Sequence, residues 1–371
     1  MINVLQIIGY IGRGGDTTVV LDVMKSMDSS KYHFDFITHK GTTDMNVVEA
    51  LRESGSKVYI LDGDVRKLGL VKYYREVKRI IDNSQVKYDA IHTHTSMQSG
   101  VALLAARKAG IRTRVCHSHV TTIQRKASFL KRIIATPVFR LLYMNNSTHK
   151  VACSKMAGNF LFGRNGKYTL IYNAVNIDKY LDITEKETTE IRNEFGIEDD
   201  DILIGHVGRM SEMKNQKFDI VLAEHTKDDP SIKYILVGDG VDIERIKELS
   251  APFADTIVIT GQRYDVPAIM KSCDCVILPS LPGEGFPVTM IEAQAAGCKC
   301  IIADTVTPEV ETGLGLVNII PVNKTDEWVN AIRNIKRNKD IEYRNKCALQ
   351  LSEKGFGKEV FVSKWLELYD V

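Results

Sequence analysis

The order in which apolar runs, glycine loops and helical spacings recur leaves this chain few folds. The sharpest instance is Cys275-Val276-Ile277-Leu278, then the loop Pro279-Ser280-Leu281-Pro282-Gly283-Glu284-Gly285-Phe286, then a helical stretch from Pro287 to Gly297. The four apolar residues read as a short buried strand. Pro287 opens the helix where a missing N–H costs nothing, and Gly297 supplies the stop. The same order begins the chain: Ile2–Ile8, then Gly9-Tyr10-Ile11-Gly12-Arg13-Gly14-Gly15-Asp16, then a helix from Thr17 to Met27. Val19, Val20, Val23, Met24 and Met27 form that helix's apolar face. Further strands are expected at His33–Thr38, Lys57–Leu61, Ala90–His94, Thr113–Cys116 and Ile202–Val207, and in the runs before Gly238 and Gly261. Strand, loop and helix in alternation predict an α/β protein with parallel sheets covered by helices.

At 371 residues the chain is long for one domain and comfortable for two. No run of about 18 apolar residues offers a membrane span, and the N-terminus enters directly into a strand instead of a signal peptide. Seven cysteines, an odd number, fit a reducing cytosol. Cys273-x-Cys275 and Cys298-x-Cys300 lack the two-residue gap of a zinc ribbon and sit in strand-like surroundings, so no metal is expected there.

The net charge of +2 conceals a split. Residues 1–170 carry 26 Lys/Arg against 12 Asp/Glu, and between Asp89 and Asp178 no acidic residue occurs. Such a basic half suits an anionic partner. Within it, residues 124–144 interleave basic residues with Phe, Leu and Ile at near-helical spacing. This suits an amphipathic segment on an anionic membrane surface. A core helix with a solvated basic face is the plainer alternative.

Candidate chemistry gathers in the loops. Glu284 precedes the positive end of a helix dipole, whose first N–H donors, near Gly285 and Phe286, can bind an anion or a sugar oxygen. Glu292 lies about a turn and a half inside the helix. Five residues of helix from Pro287 to Glu292 rise about 7.5 Å, too far for the ~5 Å carboxyl pair of a retaining glycosidase. Gly208-Arg209-Met210-Ser211-Glu212-Met213-Lys214-Asn215 follows a strand and carries two cations of different geometry, Arg a planar fork and Lys a point charge, with an exposed basic loop as the plainer alternative. Alternation puts His92 and His94 on one strand face, and His117 and His119 end the next strand. Asp62-Gly63-Asp64 has the form of a metal-binding Asp-x-Asp but reads as a turn after a strand. The first glycine loop does not match the G-x-G-x-x-G fingerprint, which disfavours a dinucleotide-dependent oxidoreductase.

The run Glu284-Gly285-Phe286-Pro287-x4-Glu292-Ala293, with seven residues between the two acids, resembles the signature of glycosyltransferase family 4. Pro282-Gly283 stand where the family usually has an aromatic. Gly-Arg-x4-Lys-Asn at 208–215 resembles the family's diphosphate clamp. The resemblance implies a GT-B fold of two Rossmann-like domains facing each other across a cleft. Residues 1–173 would form the acceptor-binding domain, completed by a C-terminal helix at about 357–371, and 174–356 the donor-binding domain. The implied activity is a retaining, metal-independent transfer of sugar from a nucleotide diphospho-sugar, with a UDP-sugar expected. The acceptor would be a saccharide or polyprenyl-diphosphate-linked saccharide in surface polysaccharide assembly, at the inner face of the cell membrane. Arg209 and Lys214 would hold the diphosphate, Glu292 the ribose hydroxyls, and Glu284 with the amides of Gly285 and Phe286 the sugar, beside Pro287. Gly15 would approach the phosphates, Gly261 and Arg263 would flank the base, and His117 would line the sugar, with His119 as the alternative. Gly14, His94 and His119 would face the acceptor. No cofactor and no nucleic acid is expected. A non-catalytic basic module binding membrane or nucleic acid, carrying a nucleotide-binding domain, is the other reading. It explains the charge split but neither the clamp nor the two glutamates.

Overall fold

Seven apolar runs of the first half pair into one sheet: β1 (Ile2–Ile7), β2 (Tyr32–His39), β3 (Val58–Leu61), β4 (Ala90–Thr93), β5 (Thr113–Ser118), β6 (His149–Ala152) and β7 (Thr169–Leu170). Six more form a second: β8 (Ile202–Val207), β9 (Ile232–Val237), β10 (Ile257–Gly261), β11 (Cys275–Leu278), β12 (Lys299–Ala303) and β13 (Val317–Ile320). In this computed structural model, which describes residues 1–12, 15–41, 43–122 and 129–370, every strand pairing in both sheets is parallel. The expected α/β class is therefore observed. The chain divides into unit 1, Met1–Asn173 with Lys358–Val371, and unit 2, Ala174–Gly357.

The strand orders are β3-β2-β1-β4-β5-β6-β7 and β10-β9-β8-β11-β12-β13. Both sheets wind outward from a first strand, return, and wind the other way. Helices on both faces explain why β4 and β11 are buried at every residue. In unit 1, Leu5, Ile7, Ile37, Ile91, Val101 and Leu161 belong to one buried core. Each such side chain contributes about 1.5–3 kcal/mol on burial.

Element boundaries shift where local chemistry competes. Pro287 (φ −72°, ψ 106°) is the N-cap, outside the helix Val288–Ala295 that it was expected to open. Gly297 does stop that helix: its φ is 72°, and its N–H returns to the Gln294 carbonyl. The first helix spans Gly15–Ser26, two residues earlier than the glycine loop suggested, and Thr17 Oγ1 donates to the Tyr10 carbonyl at 2.7 Å. Asp64 caps the helix Val65–Leu68 by accepting from the N–H groups of Arg66 and Lys67, the turn role read for Asp62-Gly63-Asp64.

The basic amphipathic stretch lies partly outside the described residues, which resume with the helix Phe129–Asn146. Phe139, Leu142 and Met144 pack against the unit 1 core, while Val138 and Leu141 are exposed. Its described face is thus divided between core and surface. The last helix, Lys358–Leu366, packs on Gly15–Ser26 and buries Trp365 and Tyr369 within unit 1.

Candidate active site

In unit 2, β8 and β11 are hydrogen-bonded neighbours although β9 and β10 separate them in sequence. Loops leaving such a pair at the carboxyl ends turn opposite ways and leave room for a ligand. One is 208–216 and the other 279–287. The two loops are clasped together. Asn215 Nδ2 donates to the Pro279 carbonyl at 3.0 Å, and the Leu281 N–H donates to the Met213 carbonyl at 2.8 Å. Asn215 does this from φ 61°, a left-handed conformation that asparagine tolerates better than most residues. Thr305 Oγ1 ties the second loop to the end of β12 through the Ser280 carbonyl.

The clasp brings Lys214 and Glu284, 70 positions apart, into a 2.6 Å ion pair with only 12% and 10% of their side chains exposed. Ser280 Oγ donates to the same carboxylate oxygen at 3.3 Å. Arg209, on the same loop as Lys214, is exposed. Backbone closeness fixes the neighbouring glycines. A Cβ on Gly238 would lie 2.1 Å from the Gly208 carbonyl oxygen, and one on Gly240 2.2 Å from that of Met210. The loop after β9 therefore packs directly under the Arg209 loop, main chain on main chain. No larger residue fits there.

Glu292, in the helix after the second loop, sits beside Tyr180. Burial, and then the Glu292 charge, raise the Tyr180 hydroxyl well above its usual pKa. Lys271 pins the Tyr180 segment by donating to the carbonyls of Tyr180 (2.6 Å) and Ile183 (3.2 Å) and to Asn345 Oδ1 (2.6 Å). Its own pKa is lowered to about 8, first by burial and then by Arg344. Gly261 ends β10 with φ 67°. The Arg263 guanidinium is held by Asp265 and Glu194 at 2.6–2.9 Å, and lies 5.3 Å from the Phe195 ring centroid. What it can offer a ligand is stacking or its main chain.

Unit 1 repeats the topology, with β1 beside β4 as its point of reversal. His92 in β4, His94 after it, His117 in β5 and His119 after it are all buried, together with Trp365 and Tyr369 from the last segment. β5 runs to Ser118, so His117 is a paired strand residue opposite Val151 and not a frayed end. Burial pushes His92, His94 and His117 well below the usual histidine range, and neighbouring histidines add to it. They are neutral imidazoles at physiological pH. Gly15 is the first residue of its helix, and Gly14 lies outside the described residues.

His92, His94 and His117 bring one nitrogen each within 4.8 Å of one another, and they are the one such metal-capable group among the described residues. The rings of His92 and His94 lie face to face, at 4.3 Å and 24°. An imidazole binds a metal through an in-plane lone pair, and stacked planes do not converge on one ion. His92 Nε2 is engaged with His117 and His94 Nε2 with Gln6. The cysteines of unit 2 are buried free thiols, and Cys273, Cys275 and Cys298 meet backbone carbonyls. Burial raises the pKa of each of these three.

Sequence reasoning placed Lys214, Glu284 and Arg209 on neighbouring loops, and the first two meet. It gave no role to Asn215, Tyr180, Gln6 or Tyr369. Only Asn215 had a signal, its place beside Lys214 in the clamp run.

Residues 187–351 match the family model for glycosyl transferases group 1, and residues 13–179 that for glycosyltransferase family 4. A Bacillus subtilis (strain 168) protein named glycosyltransferase EpsF is 33% identical over 339 residues, 89% of this chain and 86% of that one. An Escherichia coli UDP-Gal:alpha-D-GlcNAc-diphosphoundecaprenol alpha-1,3-galactosyltransferase is 25% identical, over 88% of each chain. Among solved structures, Anabaena HepE in complex with UDP and glucose superposes with a TM-score of 0.78 at 19% identity, covering 99% of both chains. That likeness is one of fold.

Proposed function

Since the chain belongs to glycosyltransferase family 4 and is a transferase moving sugar from a nucleotide-sugar to an acceptor, we propose that unit 2 binds a UDP-sugar at the Lys214–Glu284 pair. The observation that carries this reading is the pair itself: opposite charges, 2.6 Å apart and nearly buried, at the carboxyl ends of the two strands where the sheet reverses. A diphosphate takes Lys214 and Arg209, and the sugar hydroxyls take Glu284 in exchange for the lysine. The two cations then face a charge that grows as the sugar leaves, so they stabilise the transition state more than the ground state. Glu292 accepts from the ribose hydroxyls. The main chain from Gly285 to Pro287 flanks the sugar, and that at Gly261 and Arg263 flanks the base.

In unit 1, His117 donates a hydrogen bond to a sugar oxygen. Gly15 approaches the phosphates, and Gly14, His94 and His119 serve the acceptor. Transfer proceeds with retention: the bond from the anomeric carbon to phosphate breaks, the acceptor oxygen bonds to that carbon on the same face, and its proton passes to the departing phosphate. No metal takes part, and a chelator is expected to leave the rate unchanged. The E. coli relative's name and the basic front half support a lipid-diphosphate-linked saccharide as acceptor. The segment 124–144 then rests on an anionic membrane surface. Failure of vesicles containing anionic lipid to retain the protein at low salt would sink this last point.

Thermal-shift measurement against UDP, GDP, ADP and CMP tests the donor site. A ligand at 100 times its dissociation constant stabilises by about 2.7 kcal/mol. A shift with UDP that disappears in Arg209→Ala/Lys214→Ala is expected. No shift with any nucleotide would overturn the reading.

A further inference from the structure

Four imidazoles of unit 1, those of His92, His94, His117 and His119, form two edge-joined pairs, one stacked on the other. His92 Nε2 meets His117 Nδ1 at 3.1 Å, the ring planes within 19°. His94 Nδ1 meets His119 Nε2 at 2.9 Å, the planes within 34°. The first pair lies on the second, with His92 to His94 at 4.3 Å and His117 to His119 at 4.0 Å between centroids. The sequence dictates this stack. Histidines two apart on one strand share a face with histidines two apart on the next.

A hydrogen bond between two neutral imidazoles needs one N–H and one lone pair, so fixing one ring fixes its neighbour. Gln6 in β1 fixes both pairs, from opposite ends of its amide. Its Nε2–H donates to Tyr369 Oη at 3.1 Å, so the tyrosine directs its own proton to His92 Nδ1 at 2.7 Å. His92 then carries its proton on Nε2 and donates to His117 Nδ1. That leaves the His117 proton on Nε2, a buried atom with no hydrogen-bond partner among the described residues. The Gln6 carbonyl oxygen accepts from His94 Nε2 at 3.0 Å. His94 Nδ1 is then a lone pair accepting from His119 Nε2–H.

We propose that Gln6 is a positioning residue: through Tyr369 and His92 it holds His117 as a permanent Nε2–H donor for a sugar oxygen. The sugar contact rests on the function proposed above; the polarised network does not. A buried donor without a partner costs about 1–3 kcal/mol, which a ligand oxygen recovers. A ring already protonated on its outward nitrogen cannot take the acceptor's proton, in keeping with a proton that leaves on the phosphate. Because Tyr369 belongs to the last segment of the chain, docking of that segment on unit 1 sets the polarity of the site.

Nitrogen NMR of histidine-labelled protein, without ligand at neutral pH, reads the tautomers directly. The expected spectrum has His92, His94 and His117 neutral and protonated on Nε2. In Gln6→Glu, the carboxylate accepts from both sides. Tyr369 turns its proton inward, and His92 and His117 change to Nδ1–H, while His94 keeps its tautomer. Tyr369→Phe releases only the first pair. A wild-type His117 protonated on Nδ1, or on both nitrogens, overturns the proposal, and so does an unchanged His117 in both folded variants. If neither variant folds, the wild-type spectrum still decides. Adding the UDP-sugar separates the two readings. Movement of the His117 Nε2 signal supports the sugar contact, whereas an unmoved signal overturns that contact and leaves the network standing. Gln6→Glu is expected to lower kcat by about tenfold with little change in donor KM, the loss of one hydrogen bond made in the transition state.

Discussion

The two sheets reverse at the same place in the same topology, yet they fill it with opposite chemistry. Where β8 meets β11, unit 2 sets a lysine against a glutamate, two full charges held together on clasped loops. Where β1 meets β4, unit 1 sets neutral imidazoles, a glutamine and a tyrosine, with no formal charge among them. The topology supplies a location in both cases and dictates nothing about its occupant. A charged pair can exchange partners with a diphosphate and a sugar. A neutral relay can only orient donors and acceptors. The first acts through Coulombic energy and the second through geometry, so the two should fail differently.

The largest failure belongs to the charges. Lys214→Ala is expected to lower kcat by roughly 10²–10³, the size found when one transition-state contact to developing charge is removed. It also leaves Glu284 nearly buried without its cation, which costs roughly 3–5 kcal/mol. Lys214→Met/Glu284→Gln restores much of that stability without restoring turnover. Steady-state kinetics beside urea unfolding separates the two effects. By contrast, His117→Ala removes one neutral hydrogen bond and is expected to cost about tenfold in kcat, since such bonds contribute about 0.5–1.5 kcal/mol. Equal losses at the two positions would erase the distinction.

Acid sharpens it further. His92, His94 and His117 are held neutral in folded unit 1, while the unfolded chain binds protons at each below about pH 6.5. The unfolded state therefore binds more protons, and stability is lost as pH falls through that value. Three groups give a limiting slope of about 4 kcal/mol per pH unit. In unit 2, burial raises the pKa of Asp219 and Asp274, so falling pH favours the folded form at those two carboxyls. Unit 1 should melt first near pH 5. The chain's two tryptophans, Trp365 in unit 1 and Trp328 in unit 2, are both fully buried and report the two meltings separately. Coincident transitions in Trp328→Phe and Trp365→Phe proteins would refute the difference.

Much of this was legible in residues close together in sequence. Apolar runs bounded by glycine marked the strands, and the run from Gly208 to Asn215 marked the loop that carries Arg209 and Lys214 before any geometry was known. Hidden features depended on distant partners. Nothing near His92 shows that Tyr369, 277 positions away, holds its Nδ1. Nothing near Arg263 shows that Glu194, 69 positions back, engages its guanidinium. Asn215 was visible as a residue but not as a clasp, because its left-handed φ and its bond to Pro279 exist only once β8 and β11 are neighbours. Asn215→Gly keeps that backbone conformation and loses the bond. It is expected to destabilise unit 2 by about 1 kcal/mol and to raise the donor KM several-fold, because Lys214 is no longer held against Glu284. An unchanged KM would mean the loops hold without it.

The smallest expected effect tests whether unit 2 also contains an orienting contact of the kind unit 1 is built from. Tyr180 is buried, and its hydroxyl interacts with Glu292, the carboxylate assigned to the ribose. Lys271 fixes the segment that carries it through two carbonyls and Asn345. Removing the hydroxyl leaves charge and clamp intact and gives up, besides Glu292, only a 3.9 Å contact to Met270 Sδ, so Tyr180→Phe should act on the donor through the position of Glu292. Ribose binding is the same in ground and transition states, and its weakening raises KM without altering kcat. A two- to threefold rise in KM for the UDP-sugar, about 0.4–0.7 kcal/mol, is the expected result. It should vanish in a Glu292→Gln background, where the carboxylate that Tyr180 orients is gone. A fall in kcat instead would mean that Glu292 acts at the reacting centre, and the separation of charge from orientation would fail within unit 2 itself.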